Sequence, residues 1–303
     1  MGDPMTSLRS RILHQTLRRV TGIVSTNLSF KEQRTRMDEL ARRGIRVPRG
    51  VTVHGITTDG VYSEWVEPDN MEDNRVLLYF HGGGYCICSL DTHRGLVSRL
   101  TLASRARALT PAYRLAPEHP FPAALEDALT AYRWLLRKGI PPKHIAIGGD
   151  SAGGGLTLST AVSAREAGDP LPGALFLLSP WTDLTFTGES IHTRQEVDPI
   201  FSSGNRLTYS PPYIGTDKPS NPLISPLFAD LHGLPPTLIH VGNDEILLDD
   251  SARLEKKLKA AGVEVELKVW EGMWHVFQAF APWAPEGQIS IGQIGDFIGR
   301  HIP

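Results

Sequence analysis

The pentapeptide Gly149–Gly153, of the pattern Gly-x-Ser-x-Gly, constrains the fold more than any other feature because it lies between a predicted strand and a predicted helix. Residues 143–148 form a short β-favouring run that ends in glycine, and residues 155–167 favour a helix closed by Gly168. At such a junction the motif forms a sharp turn that holds the serine hydroxyl above a sheet. Glycines are needed there because the turn strains the serine backbone and leaves no room for neighbouring Cβ atoms. The pattern therefore predicts that Ser151 is a nucleophile exposed at the end of a strand.

The apolar runs of the chain predict an α/β fold. From the third run onward, most strand-like runs are separated by helical stretches such as 122–137 and 250–261. Strands that alternate with helices form a mostly parallel sheet with helices on both faces. The last run, Val263–Trp270, alternates apolar and charged residues, so we expect it near a sheet edge with one face in solvent. The eight runs lie near residues 50–56, 61–67, 75–80, 106–111, 144–148, 174–178, 237–242 and 263–270.

Composition and charge narrow the class of protein. Hydrophobic residues make up 41% of the 303 residues and charged residues 21%, so the chain can build a large core. The formal net charge of −2 gives no electrostatic reason to expect nucleic acid or an anionic membrane as a partner. No apolar run is long enough for a membrane span, and residues 1–20 lack the apolar segment of a secretory signal. Cys86 and Cys88 are too close together for a disulfide framework, so we expect buried thiols in a reducing cytoplasm.

Two regions that interrupt the alternation are expected to form a helical cap. Residues 1–45 favour two helices, the second beginning at a capping box, Ser29–Glu32. Residues 186–220 carry no clear strand and are too long for a simple loop, which is typical of a functional lid. The core is then expected in two parts, 46–185 and 221–303. The apolar stripe of the first helix consists of Leu8, Ile12, Leu13, Leu17 and Val20.

A catalytic serine needs a base beside it, and the base needs an orienting carboxylate. The seventh strand runs into Asn243-Asp244, and the eighth strand runs into Glu271–His275. Ser151, Asp244 and His275 all follow the carboxyl ends of strands, where ligands bind in open parallel sheets. Their order along the chain is that of the α/β-hydrolase arrangement. The sequence therefore predicts Ser151 as nucleophile, His275 as base and Asp244 as the acid.

Other carboxylates and another histidine compete for these roles. Glu245, Asp249 and Asp250 also lie near the end of the seventh strand. Asp249 and Asp250 come just before a helical run, which favours a role as helix caps. Asp244 is preferred because it is the earliest aspartate after the strand. His240 lies inside the strand, so we expect it to be a packed core residue.

The segment His81-Gly82-Gly83-Gly84 follows the predicted strand Val76–Phe80. Consecutive glycines allow a bare backbone to approach a substrate, so that its N–H groups can face developing negative charge. A flexible glycine turn is an alternative, as is a phosphate-binding loop, although the Lys-Ser/Thr signature of the latter is missing. The N–H of Ala152, directly after the nucleophile, is predicted to be a further donor of this oxyanion hole.

Three motifs together, His81–Gly84, Gly149–Gly154 and Tyr113–Glu118, resemble those of the hormone-sensitive-lipase family of α/β-hydrolases, specifically its bacterial esterases. The resemblance runs from about residue 75 to the C-terminus. It implies an eight-stranded sheet with a cap built from the N-terminus and from an insertion after the sixth strand. The family usually has Asp-Pro-Leu at the acid, whereas this chain has Asp244–Ile246.

The resemblance also implies an activity and a set of donors. Family members hydrolyse esters of short or medium acyl chains without a cofactor, so we expect a small-molecule ester as partner and no metal. The oxyanion hole implied by the family consists of Gly83, Gly84 and Ala152. An amidase or peptidase with the same triad remains open, as does a non-catalytic small-molecule receptor on the same fold.

Many family members form homodimers, and two features of this chain would allow one. The last strand is expected at an edge, and the C-terminal helix bears Ile291, Ile294 and Ile298 on one side. The alternative is that this isoleucine stripe packs on the chain's own sheet.

Overall fold

The computed structural model describes residues 6–21, 28–72, 74–201 and 208–303, and the strands of these ranges form one eight-stranded sheet. Its spatial order is β1-β2-β4-β3-β5-β6-β7-β8. β1 is antiparallel to β2 and β2 to β4, whereas the other neighbours are parallel. All eight predicted strands and the mostly parallel sheet are confirmed. The strands are β1 (Val51–Thr58), β2 (Val61–Pro68), β3 (Val76–Phe80), β4 (Arg107–Pro111), β5 (Ile145–Asp150), β6 (Ala174–Leu178), β7 (Thr237–Gly242) and β8 (Val265–Trp270).

Helices cover both faces of the sheet. Successive residues of a strand point to opposite faces, so Leu78 and Ile147 pack in one core cluster with α4, α5 and α8. Leu77 and Ala146 pack in a second cluster with α3 and α9 on the other face. The α-helices of the described ranges are α1 (Leu8–Thr21), α2 (Phe30–Gly44), α3 (Leu90–Ser104), α4 (Ala123–Arg137), α5 (Ala152–Glu166), α6 (Ser190–Thr193), α7 (Ser210–Ile214), α8 (Leu248–Ala260) and α9 (Pro285–His301).

The C-terminal helix α9 belongs to the core of its own chain. Ile291, Ile294 and Ile298 are fully buried in the cluster between α9 and the sheet. Gly295 allows α9 to approach α3 closely, because a Cβ there would lie 2.5 Å from the carbonyl oxygen of Ala103. The expectation that this stripe pairs with a second copy is therefore wrong. Among the described strands β8 pairs with β7 alone, which confirms its position at the edge.

The N-terminal helices form as predicted, with one difference. The Ser29 Oγ accepts the N–H of Glu32, and the Glu32 carboxylate accepts the N–H of Ser29, so the capping box is confirmed. In α1 only part of the predicted stripe faces inward. Leu13 and Leu17 pack beside Trp274, Met273 and Phe277, whereas Leu8 and Ile12 are exposed. The side chain of Val20 lies outside the described residues, as do residues 202–207 of the predicted insertion.

Several polar side chains of the core have the inert roles expected of them. Cys86 and Cys88 are free and buried, and burial raises the pKa of each thiol to about 12. His240 is also buried, with Nδ1 2.7 Å from the hydroxyl of Ser290, and burial lowers the pKa of its imidazole to about 3. The core role expected of His240 is confirmed. None of the helices described above is long and apolar enough to cross a membrane.

Candidate active site

Ser151 lies in the turn between β5 and α5, in a strained backbone conformation with φ 53° and ψ −121°. The flanking glycines leave the space that this turn needs. A Cβ at Gly153 would lie 2.0 Å from the carbonyl oxygen of Phe80, and a Cβ at Gly149 would lie 2.4 Å from that of Gly153. The hydroxyl is not open to bulk solvent, however, because Ser151 is only 7% exposed. A side chain held in this way at a helix N-terminus is poised to attack a bound group.

The glycine loop after β3 presents unpaired backbone donors beside this turn. Gly83 and Gly84 have φ of 112° and 60°, a region that favours glycine. Within the described part of the chain, the N–H groups of Gly83, Gly84 and Ala152 have no hydrogen-bond acceptor. Ala152 is fully buried, and a buried N–H group is rarely left unpaired in a native structure. Three such donors together can bind an anionic oxygen.

Asp150, the residue before Ser151, holds the glycine loop against the turn. Its Oδ1 accepts the Tyr79 hydroxyl at 2.7 Å and the N–H of Gly82 at 3.1 Å. Its Oδ2 lies 3.2 Å from Nε2 of His93. Burial alone would raise the pKa of Asp150, but the His93 charge and these hydrogen bonds lower it. The resulting ion pair stands directly behind the glycine loop.

His81 completes this support. Its Nδ1 lies 2.6 Å from the carbonyl oxygen of Gly82, and the hydroxyl of Tyr113 donates to the His81 carbonyl at 2.6 Å. The two rings stack at 4.4 Å. Burial and the nearby His93 charge lower the pKa of His81 to about 3, so its ring is neutral. His81 and Tyr113 therefore support the glycine loop, and neither is a candidate for proton transfer.

His275, after β8, is bonded to Glu245. Its Nδ1 lies 3.2 Å from Glu245 Oε1, and both side chains are buried. Burial alone would lower the pKa of His275, but the hydrogen bond and charge of Glu245, with the charges of Asp198 and Asp150, raise it. An imidazole in this setting can accept a proton on Nε2 while Nδ1–H stays bonded to the carboxylate.

Two donors fix the other oxygen of Glu245. Oε2 accepts the Ser179 hydroxyl at 2.7 Å and the N–H of Gly242 at 2.8 Å. The Ser179 hydroxyl oxygen also accepts the N–H of Val276 at 3.1 Å, next to the histidine. Ser179 has a positive φ of 47°, and its N–H donates to His240 in the neighbouring strand. Ser179 thus joins the loop of the carboxylate to the loop of the imidazole.

Asp244 does not contact the imidazole, and the prediction that it orients His275 is corrected. Its carboxylate lies 3.6 Å from Nε2 of His14 on α1. Burial raises the pKa of Asp244 and lowers the pKa of His14. Consecutive side chains in the turn after β7 point in different directions, and the N–H of Asp244 is held by the carbonyl of Met273. Glu245 therefore occupies the place predicted for Asp244.

Asp249 and Asp250 are not helix caps. α8 begins after Leu247, and both aspartates lie in its first turn. Asp249 accepts the N–H of Ser190 at 2.8 Å. Asp250 accepts the N–H groups of Thr182 and Asp183 at 2.7 and 2.9 Å, and burial raises its pKa to about 7. They bind the segments after β6 to α8, away from the imidazole.

A further carboxylate and a ring close the site on the side of the insertion. Asp198 is fully buried and accepts the N–H groups of Ile200, Phe201 and Ile246 at 2.8 to 3.0 Å. The Phe201 ring packs edge-on against His275 at 4.9 Å. Asp198 therefore ties the insertion to the residue after Glu245.

The sheet brings these loops to one edge. β5, β6, β7 and β8 are parallel neighbours, and Ser151, Ser179, Glu245 and His275 all follow their carboxyl ends. The N–H of Ser151 donates to the carbonyl of Leu178, the residue before Ser179, at 2.9 Å. The turn that carries Ser151 and the pair of Glu245 and His275 are therefore adjacent.

The described residues offer one group of side chains that could hold a metal ion. Ligand atoms of Glu264, Glu266 and His301 lie within 4.8 Å of one another, and both glutamates are exposed. They lie around the amino end of β8, at the edge of the sheet opposite Ser151. This group cannot act on a molecule bound at the serine.

Comparisons with known proteins place the chain among α/β-hydrolases. A family profile described as alpha/beta hydrolase fold matches residues 77–279. An acetyl-hydrolase of Streptomyces hygroscopicus is 42% identical over 243 residues, which cover 80% of this chain and 81% of the relative. An esterase of Acinetobacter venetianus is 38% identical over 272 residues, 89% of each chain. A solved esterase of the bacterial hormone-sensitive lipase family has 41% identity and a TM-score of 0.93, and covers 99% of this chain and 100% of its own.

Proposed function

We propose that this chain, which belongs to the hormone-sensitive-lipase family of α/β-hydrolases and is a carboxylic ester hydrolase, works through a triad of Ser151, His275 and Glu245. The observation that carries the proposal is the buried contact of 3.2 Å between His275 Nδ1 and Glu245 Oε1. It leaves Nε2 as the ring nitrogen that can take a proton from a serine at the same sheet edge.

The reaction follows from these roles. The Ser151 hydroxyl attacks the ester carbonyl while His275 takes its proton, and Glu245 stabilises the imidazolium that forms. The carbonyl oxygen becomes an oxyanion, which the N–H groups of Gly83, Gly84 and Ala152 bind. Collapse of this intermediate expels the alcohol, protonated by His275, and leaves an acyl group on Ser151. A water activated by the same imidazole then releases the acid.

The absence of competing bonds supports the oxyanion hole. In the described ranges the three N–H groups have no acceptor, so binding an oxyanion costs no existing hydrogen bond. α5 also has no acidic residue in its first turn, so the positive end of its dipole faces the developing charge.

We propose short to medium acyl chains as substrates. Aromatic side chains of the insertion stand close to the reacting groups and limit the space there. Phe201 packs on His275, and Tyr209 is so near Gly84 that a Cβ on that glycine would lie 2.7 Å from the Tyr209 Cβ. The similarity to a protein named acetyl-hydrolase supports the same proposal. A panel of p-nitrophenyl esters from acetate to palmitate tests it, and a maximum at palmitate would reject it.

Replacement of the serine tests the triad. Ser151→Ala should lower ester turnover by roughly 10⁶-fold and abolish labelling by a fluorophosphonate. Ser163→Ala, on the same helix but at its far end, is the matched control and should keep full activity. A Ser151→Ala enzyme with near-normal turnover would reject the mechanism. An unlabelled wild-type serine would favour a receptor, and faster cleavage of p-nitroanilides than of matching esters would favour an amidase.

We also propose that residues 1–45 and 186–220 form the cap over this site. The contacts of α1 with Asp244 and Trp274, beside the triad, support this proposal.

We propose further that the exposed edge of β8 pairs with a second copy of the chain. A monomeric mass by light scattering at micromolar concentration would rule out this dimer.

A further inference from the structure

The small net charge of the chain conceals a strong asymmetry. Residues 1–50 contain eleven lysines and arginines and four acidic residues, a net charge of +7. The other 253 residues contain twenty basic and twenty-nine acidic residues, a net charge of −9. Charge concentrated in one segment acts locally, because salt screens exposed charges beyond about 8–10 Å. The N-terminal segment therefore has its own electrostatic preference.

The outer face of α1 combines this charge with exposed apolar side chains. Leu8 and Ile12 lie one turn apart on the face opposite the buried Ser10, and are 73% and 57% exposed. The four arginines of α1 flank or continue this apolar face, and the helix contains no acidic residue. Among the residues that the structure describes, none of these arginines has an ion-pair partner. They are Arg9, Arg11, Arg18 and Arg19.

Two more exposed apolar side chains lie near the start of α9, the helix that contacts the first turn of α1. Glu286 accepts the N–H and hydroxyl of Ser7 and the hydroxyl of Ser10, which fixes the first turn of α1 beside α9. Trp283 and Ile289, three residues to either side of Glu286, are 57% and 48% exposed. Trp283 and Ile289 therefore flank the residue that binds the first turn of α1, and we call Leu8, Ile12, Trp283 and Ile289 the α1 patch.

We propose that the α1 patch docks this enzyme on an anionic lipid surface, with α1 lying in the plane of the interface. Exposed apolar side chains with a tryptophan, bordered by arginines, are typical of interfacial helices. The arginine side chains are long enough to reach phosphate groups while their stems cover apolar surface. A nucleic acid would use the arginines but would leave Leu8 and Ile12 in water, so the apolar residues favour lipid.

The location of the patch gives docking a consequence for catalysis. The inner face of α1 contacts Asp244 and Trp274, the neighbours of Glu245 and His275 in the chain. A lipid surface bound to the outer face would therefore lie close to the cap over Ser151. Esters dissolved in that surface would be concentrated beside the site, whereas water-soluble esters would gain nothing.

Sedimentation of the full chain with vesicles tests the proposal. Wild type should bind phosphatidylcholine vesicles that contain phosphatidylglycerol, release at high salt, and bind pure phosphatidylcholine weakly. Each arginine near an anionic surface contributes about fivefold to the partition coefficient, so Arg9→Gln/Arg11→Gln should lower it about 25-fold. Leu8→Ser/Ile12→Ser should lower it at least as far. Tryptophan emission should shift to the blue with anionic vesicles, and less so in Trp283→Phe.

Matched variants on other surfaces separate docking from general changes. Phe228→Ser removes another exposed apolar side chain, and Lys256→Gln removes another exposed charge. Both should bind vesicles as wild type does. All variants should have the circular dichroism spectrum of wild type, which shows that they are folded. Equal binding to neutral and anionic vesicles would overturn the proposal, as would wild-type binding by both α1 variants. Tighter binding to a single-stranded oligonucleotide than to vesicles would also overturn it. So would a wild-type dimer that becomes a monomer in Leu8→Ser/Ile12→Ser, because the patch would then be a contact between two copies of the chain.

Discussion

Exchange of Glu245 for glutamine should abolish most of the activity, whereas the same exchange at Asp244 should not. Glu245 Oε2 accepts from Ser179 and Gly242, and Oε1 faces Nδ1 of His275. A glutamine would keep its carbonyl oxygen at the two donors, because the reverse orientation would place N–H against N–H at a cost of about 1–3 kcal/mol. Its NH₂ group would then face Nδ1.

An amide donor at Nδ1 selects the wrong imidazole tautomer. Nδ1 would have to accept, so the proton would lie on Nε2, where it blocks transfer from Ser151. This type of exchange costs on the order of 10⁴ in kcat, or about 5.4 kcal/mol. Asp198 cannot take over, since its oxygens already accept the N–H groups of Ile200, Phe201 and Ile246.

The assay is hydrolysis of p-nitrophenyl butyrate by Glu245→Gln and Asp244→Asn, with circular dichroism to show that both are folded. Asp244→Asn loses its 3.6 Å contact with His14 and its charge interaction with Arg194, neither of which involves His275, so we expect kcat within about threefold of wild type. A second readout is the pH profile of kcat/KM. Because the proposed base is neutral His275, its raised pKa should move the wild-type acid limb to a higher pH than a free imidazole would give. Loss of the Glu245 charge should move the limb of the residual activity to lower pH. A large loss in Asp244→Asn together with near-normal kcat in Glu245→Gln would refute the reasoning.

Three further changes test the surrounding geometry. Gly84→Ala places a Cβ 2.7 Å from that of Tyr209 at a φ of 60°, so steady-state kinetics should show kcat lower by roughly 10²–10³ with KM little changed; normal kcat would remove Gly84 from the oxyanion hole. Ser179→Ala takes one of two donors from Oε2 of Glu245, a charge-assisted bond of about 1.5–3 kcal/mol, and should lower kcat roughly tenfold to a hundredfold; a change in thermal stability alone would indicate a merely structural role. Asp150→Asn weakens the ion pair with His93, and a lower kcat is expected, whereas unchanged kinetics would mean that the loop needs no support.

The sequence was sufficient for the elements of the fold because each is encoded locally. Apolar residues recur with a different period in strands and in helices. The glycines beside Ser151 are required because a side chain at either position would collide with nearby backbone atoms. The capping box at Ser29 is equally local. Each of these predictions depends on residues within a few positions of one another, so no tertiary information was needed.

The parts that the sequence could not give depend on contacts between distant loops. Ser179 follows the end of β6 and donates to Glu245, which lies 66 residues away in the chain. The residues around Ser179 in the sequence give no sign of this contact. The stripe on α9 was ambiguous, because a periodic apolar face fits a partner chain and the chain's own sheet equally well. The full burial of its isoleucines in the cluster with the sheet, together with the packing of Gly295 on α3, decides for the chain's own sheet.

Asp244 and Glu245 carry the same carboxylate group, so the position and the length of the side chain decide which of them contacts His275. The loop after β7 is held at Asp244 by the carbonyl of Met273, which directs that side chain toward α1. Glu245, one position later, is close enough to its own strand end for its longer side chain to fold back onto the N–H of Gly242 and still meet His275. An aspartate at 245 would have to give up one of these two contacts. The sequence after β7 therefore predicts which loop and which edge of the sheet supply the carboxylate. The length of the side chain decides which carboxylate completes the site.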